Sequence, residues 1–298
     1  SSREAKNIEI IGMGYYHPIF PLIPKEDWED QLVRGREVVK ELFGREPKGF
    51  WPSEMAFCME MIPAIKKAGY EYVVVDHVHV CPVKPVPKPD CFQPYKARYQ
   101  DSEIIIIPRN RDLSNAQESG LDPHWFINEV SHKIKDYPNA DKPRLVTTWS
   151  DGENGGWFRQ MDEGSGFFGH FFSPLMEMIR HHTIPIRPAK IADFLKKHPP
   201  QEEATVRTGA WNVASTSGYD FSQWNGSEAQ KRAIRELFNT SQKYWKLKGS
   251  KLSPERREKV ERARELILDS QTSCYLFWGE SWLPRLYEKL NAANALLE

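Results

Sequence analysis

The stretch "GFWPSEMAFCMEMIPAIKKAGYEYVVVD", residues 49–76, decides the fold. It opens on a short apolar run at 49–51 and passes an isolated carboxylate, Glu54. Phe57, Ile62, Ile65 and Ala68 then recur at helical spacing across 55–68, and Gly69 stops the helix. An apolar run, Tyr72 and the three valines 73–75, follows and ends on Asp76. Strand, helix and strand in succession begin an alternation that runs on along the chain. Further apolar runs at 8–12, 104–107 and 145–148 read as strands, and 27–43, 123–134 and 171–180 read as helices. The alternation predicts an α/β chain built on a mainly parallel sheet or barrel.

The pattern changes at "KKHPPQEEAT", residues 196–205, a Pro-rich polar boundary. No strong strand is read beyond it, and 228–247, 254–268 and 282–297 read as helices. The expectation is a barrel-like domain over 1–200 and a helical domain over 201–298. The segment "CPVKPVPKPDCFQPY" at 81–95 holds five prolines and reads as a loop.

Composition narrows the function classes. With 41 basic and 41 acidic residues the formal net charge is zero, which argues against a nucleic-acid footprint or a polybasic membrane surface. No apolar run approaches the ~20 residues of a membrane span, and "SSREAKNIEI" lacks the apolar core of a signal peptide. Cys58, Cys81, Cys91 and Cys274 form no CxxC and read as free thiols in a reducing, cytoplasmic setting. The 10 Trp, 11 Tyr and 15 Phe are informative because many stand beside Gly and polar groups, as in "TTWSDGENGG" (147–156) and "SQTSCYLFWGESW" (270–282). Flat apolar faces next to hydrogen-bonding groups suit sugar rings.

In parallel α/β folds, function gathers at the C-terminal ends of strands. Glu54, Asp76 and Asp151 all fall at such ends. Any one of them also fits helix N-capping or turn shaping. Two carboxylates on opposite sides of a glycosidic bond suffice for its cleavage. Asp151, with Trp149, Glu153 and Trp157 close in sequence, is the better proton donor, because apolar surface and a second carboxylate retain a proton. Glu54 is then the nucleophile, at the same end of the sheet and on the order of 5–7 Å away. In "VVVDHVHVC" (73–81), His77, His79 and Cys81 share one face if extended, which leaves a zinc set and a simple pocket lining both open. Arg109 and Arg111 in "RNRDLSN" either pair with a functional carboxylate or stand in solvent.

"IEIIGMGYYHPIFPLIP" (8–24), "GFWPSEMAF" (49–57), "RNRDLSN" (109–115) and "TTWSDGENGG" (147–156), in this order, resemble glycoside hydrolase family 57. The likeness covers most of 7–160, and more loosely "GAWNVASTSGYDFSQWNG" (209–226) and the C-terminal helices. The resemblance implies a distorted (β/α)7 barrel followed by a helical domain. It also implies a retaining two-carboxylate reaction on α-glucans of the α-amylase, 4-α-glucanotransferase or branching type, without metal or other cofactor. It assigns Glu54 as nucleophile and Asp151 as general acid/base, places His17 at the sugar site, and puts Trp51, Asp76 and Glu153 in matching motif positions. Arg111, Trp149 and Trp278 complete the expected sugar-binding set.

Two departures stand out. The family's opening His-Gln-Pro strand is missing, so the expectation is a fragment, or a barrel completed by a separate N-terminal segment or subunit. Cys274 stands near the place of an acidic residue in the family's C-terminal motif, so specificity is expected to differ. The partner expected is an oligo- or polysaccharide. Two other readings stay open: a metal-dependent polysaccharide deacetylase or α-mannosidase using Asp76, His77, His79 or Asp151, and a non-catalytic carbohydrate-binding relic.

Overall fold

The computed structural model describes residues 6–86, 88–137, 142–152, 166–211 and 221–298. Its centre is a four-stranded mixed sheet ordered β1-β2-β5-β4. β1 (Gly49–Phe50), β2 (Tyr72–Asp76) and β5 (Ser102–Arg109) run parallel, and β4 (Tyr95–Tyr99) is antiparallel to β5. β2 is buried at every position, which is why it reads as an unbroken valine run and not as an alternation. Gly49 is required by space: a Cβ there would stand 2.2 Å from the Tyr72 ring. β3 (Val80–Pro82) pairs antiparallel with β6 (Ala204–Val206), a short strand past residue 198 where none was expected.

The crossover from β1 to β2 contains less helix than its spacing predicts. The α-helix spans only Ile62–Lys67, preceded by 3₁₀ turns at Ser53–Met55 and Met59–Met61. Glu54 and Met55 hold φ of 58° and 53°, and Phe57 forms an antiparallel bridge with Gly209. The chain is thus committed to a turn and a bridge before a helix can start. Two expected strands reduce to fragments. The 8–12 run contributes one bridge, Gly12 to Phe50. Among the described residues, the 145–148 run makes the backbone bonds Leu145 N–H to the Phe92 carbonyl and Asn110 N–H to the Thr147 carbonyl and joins no ladder, because it passes the end of β5 and does not lie along it.

The C-terminal part is helical, with Glu228–Lys248, Pro254–Ser270 and Leu283–Leu297 packed together. Ser227 and Gln230 form a reciprocal capping box at the start of the first. One core joins these helices to the sheet: Phe50, Val73 and Ile106 belong to the same buried cluster as Trp224, Leu237 and Leu286. Buried Asp27 adds a polar joint. Its carboxylate accepts from Ser241 Oγ, Trp245 Nε1, Gln271 Nε2 and, at 2.6 Å, Arg264 Nη1. Among the described residues no helix is long and apolar enough to cross a membrane, and all four cysteines are free thiols.

Candidate active site

Because β1, β2 and β5 run parallel, their C-terminal ends share one margin of the sheet. Glu54 follows β1 there. It caps no helix, since the next α-helix begins eight residues on at Ile62. Its left-handed backbone is rare for a residue with a Cβ and is held from outside. Trp211 does this twice: its backbone N–H donates to the Glu54 carbonyl at 3.0 Å, and its indole Nε1–H to Glu54 Oε2 at 2.7 Å.

An aromatic group surrounds this turn. The Trp51 ring centroid lies 5.7 Å from Trp211, 6.1 Å from Trp149 and 5.9 Å from His17. His17 is itself left-handed, at φ 55°. Its Nδ1 lies 2.7 Å from Ser273 Oγ, and its carbonyl accepts from Ser273 N–H at 3.0 Å. The helical part thereby reaches the site through a residue of the "SQTSCYLFWGESW" stretch.

Asp76 ends β2 and is fully buried. Its Oδ2 accepts from Arg109 Nη1 at 3.2 Å and Arg111 Nε at 2.8 Å, and its Oδ1 from Val78 N–H at 3.2 Å. The capping role therefore holds for Asp76, together with an ion pair. Arg109, 3% exposed, is not the solvated cation that sequence left open. It also donates to the Trp149 carbonyl at 2.7 Å and Asn115 Oδ1 at 3.1 Å, and its guanidinium lies 5.4 Å from the Trp211 ring. Arg109 ties the ends of β2 and β5 to both tryptophans.

Asp151, two residues past Trp149, lines a cleft of about 190 Å³ with Gln117, Glu118, Ser150, Phe167 and Phe168. Burial pushes the Glu118 carboxyl above its ordinary value; Arg109 opposes this, and the Asp151 charge adds to it. Glu153 and Trp157 lie outside the described residues. A larger cleft of about 740 Å³, between Ile8, Phe172 and Phe194, contains none of these acids.

His77 and His79 do not share a strand face, because they form a 3₁₀ turn and β3 begins only at Val80. His77 Nδ1 meets Arg111 N–H and the Arg109 carbonyl, while His79 Nε2 meets the Ala210 carbonyl at 2.9 Å. Burial holds both imidazoles below their ordinary value. Among the described residues no group of three or more His, Cys, Asp or Glu is arranged to hold a metal ion. Trp278 is 57% exposed, and its ring partners among the described residues are Phe277 and Trp282. Sequence reasoning passed over Trp211, Glu118 and Ser273. Trp211 carried a signal, since it stands in "GAWN" among small residues past the expected domain boundary.

The glycosyl hydrolase family 57 model matches residues 1–207. Alpha-amylase 1 of Dictyoglomus thermophilum is 26% identical over 212 residues, which are 70% of this chain and 29% of that protein. The 4-alpha-glucanotransferase of Thermococcus kodakarensis is 27% identical over 149 residues, 50% of this chain and 22% of that one. The chain thus spans less than a third of either relative. A solved GH57 branching enzyme from Thermococcus kodakaraensis matches with a TM-score of 0.75 at 14% identity, covering 99% of this chain and 67% of that one. The 4-alpha-glucanotransferase from Thermococcus litoralis gives 0.72 at 18%, covering 97% and 48%. At these identities the solved structures speak to the fold.

Proposed function

The chain belongs to glycosyl hydrolase family 57, and from that premise we propose that it acts on α-glucans by a retaining, two-carboxylate double displacement. The observation that carries the reading is Glu54. It is a carboxylate at the C-terminal end of β1, in a turn held by Trp211 and walled by Trp51, and Arg109 at the end of β5 donates to the Trp149 carbonyl, two residues before Asp151. On this reading Glu54 attacks the anomeric carbon while Asp151 gives its proton to the departing oxygen. Asp151 then takes a proton from water or a sugar hydroxyl, which displaces Glu54. The two carboxyl groups are expected on the order of 5–7 Å apart.

Trp51, Trp149 and His17 supply flat and hydrogen-bonding surface for sugar rings. Arg111, Glu153 and exposed Trp278 belong to the same proposed set, while Asp76 acts there by holding Arg109 and Arg111. The proposal extends to the architecture: the open sheet is part of a distorted (β/α)7 barrel over 1–200, with 201–298 as a helical domain. β6 and Trp211 reach back to the sheet from beyond that boundary.

The test is incubation with maltoheptaose and separation of products by size. Products that are only shorter mean hydrolysis, and longer ones mean transfer. The reading fails if neither forms, or if Glu54→Gln produces them as fast as the native protein. Treatment with EDTA is expected to leave the product pattern unchanged, and a loss restored by a divalent metal would overturn the metal-free mechanism.

A further inference from the structure

We propose that Trp211 is a positioning residue for Glu54, fixing both the turn that carries it and one oxygen of its carboxylate, with Arg109 bracing the indole. The inference rests on the reading of Glu54 as nucleophile. Its starting point is backbone strain. Glu54 and Met55 are consecutive left-handed residues, neither of them glycine, and such a pair persists only where the surroundings over-determine it. Among the described residues, one segment supplies backbone bonds to both sides of the pair. Phe57 and Gly209 exchange both backbone bonds, at 2.9 and 3.2 Å, and Trp211 N–H closes on the Glu54 carbonyl at 3.0 Å.

The same residue then holds the side chain. An N–H to carboxylate bond of 2.7 Å is short and charge-assisted, and it fixes the carboxylate plane. The indole cannot swing away easily. Trp51 packs at 5.7 Å with the planes at 52°, and the Arg109 guanidinium lies 5.4 Å from the ring. Arg109 is itself locked by Asp76, Asn115 and the Trp149 carbonyl. A cation beside the ring also draws electron density from it, which strengthens the N–H as a donor. The result is a rigid path from the ends of β2 and β5 to the proposed attacking group.

A double-variant cycle tests this, with an α-glucosyl fluoride as donor. Trp211→Phe keeps a ring beside Arg109 and removes the N–H. It is expected to lower kcat by about 10–10²-fold with KM nearly unchanged, the scale of a misplaced reacting group. In Glu54→Ala, azide replaces the carboxylate as nucleophile, and the indole has nothing left to position. Adding Trp211→Phe there is expected to change the azide-driven rate by less than about twofold. Equal slowing in both backgrounds, or none in the native one, overturns the proposal. Replacing Trp211 with β-(3-benzothienyl)alanine, the same shape with sulfur for N–H, repeats the cycle without altering packing. Undiminished turnover by Glu54→Ala without azide would instead sink the nucleophile reading, a result separable from any effect of Trp211.

Discussion

Glu54 and Asp151 differ in what surrounds them, and their proposed roles follow from that difference. Glu54 accepts a 2.7 Å bond from the Trp211 indole N–H, which fixes one carboxylate oxygen of the proposed nucleophile. Asp151 lines a cleft with Phe167, Phe168 and a second carboxylate, Glu118, and on the proposed reading it is the proton donor. Asp151→Ala is therefore expected to slow cleavage of an unactivated glucan by about 10²–10⁴-fold, and the first step on a fluoride far less. Azide should restore turnover as the α-linked glycosyl azide when the bond attacked is α, because two inversions retain the configuration. Rescue of Glu54→Ala with retention, and Asp151→Ala equally dead on the fluoride, would reverse the roles. His79 gives a pH prediction. Its folded value is held below the ordinary ~6.5 by burial, so the unfolded chain binds more protons there. The stability this neutral imidazole contributes is present above pH ~6.5 and is lost as pH falls through the folded value. Urea midpoints from pH 7.5 to 5.5 should fall less steeply in His79→Gln than in the native protein; equal slopes would exclude the effect. The acids were legible because a lone carboxylate after an apolar run is conspicuous. Arg109 was only half legible: sequence shows a cation after a strand, and only packing shows that it is 3% exposed and meets Asp76, Trp149 and Trp211 together.

Among the elements, legibility followed burial on both faces. β2 and β5 announce themselves as aliphatic runs, and the run at 49–51 marks β1. β4 was missed because Tyr95, Ala97 and Tyr99 alternate with Lys96 and Arg98 after a proline-rich loop. Its period of two is correct for an antiparallel strand, but charges break the apolar count. The 145–148 run misled for the opposite reason, since apolar residues beside β5 need not join its ladder. The joint between β2 and β5 is electrostatic at its C-terminal end. Arg109→Met would leave buried Asp76 with Arg111, and with His77 when that imidazole is protonated, as cation partners among the described residues, and would remove the tie to Trp149. The expected loss is about 3–5 kcal/mol, the usual cost of breaking a buried pair, read as a lowered urea midpoint. A change under roughly 1 kcal/mol would mean that Asp76 is adequately held by Arg111 and Val78 alone.

Across the whole molecule, the sheet and the C-terminal helices share one core and the Asp27 joint, so they are expected to unfold in one transition. Asp27→Ala should lower the thermal midpoint and separate the two parts into distinct steps in calorimetry. A single unshifted peak would show that the apolar core alone couples them. The parallel strands and the C-terminal helices were readable from periodicity, but the meeting of distant segments was not, because no local pattern encodes that Ser273 will rest on His17. Those two residues are 256 positions apart. At about 5–20 residues per second, a ribosome takes roughly 13–50 s to pass from one to the other. Over that interval the nascent chain carries His17 without its Ser273 partner, and for most of it the Glu54 turn also waits for Trp211. Pulse-labelled chains should therefore remain protease-sensitive until the segment beyond residue 273 leaves the exit tunnel, which makes the closing hydroxyl a clock on when the protein becomes competent in the cell.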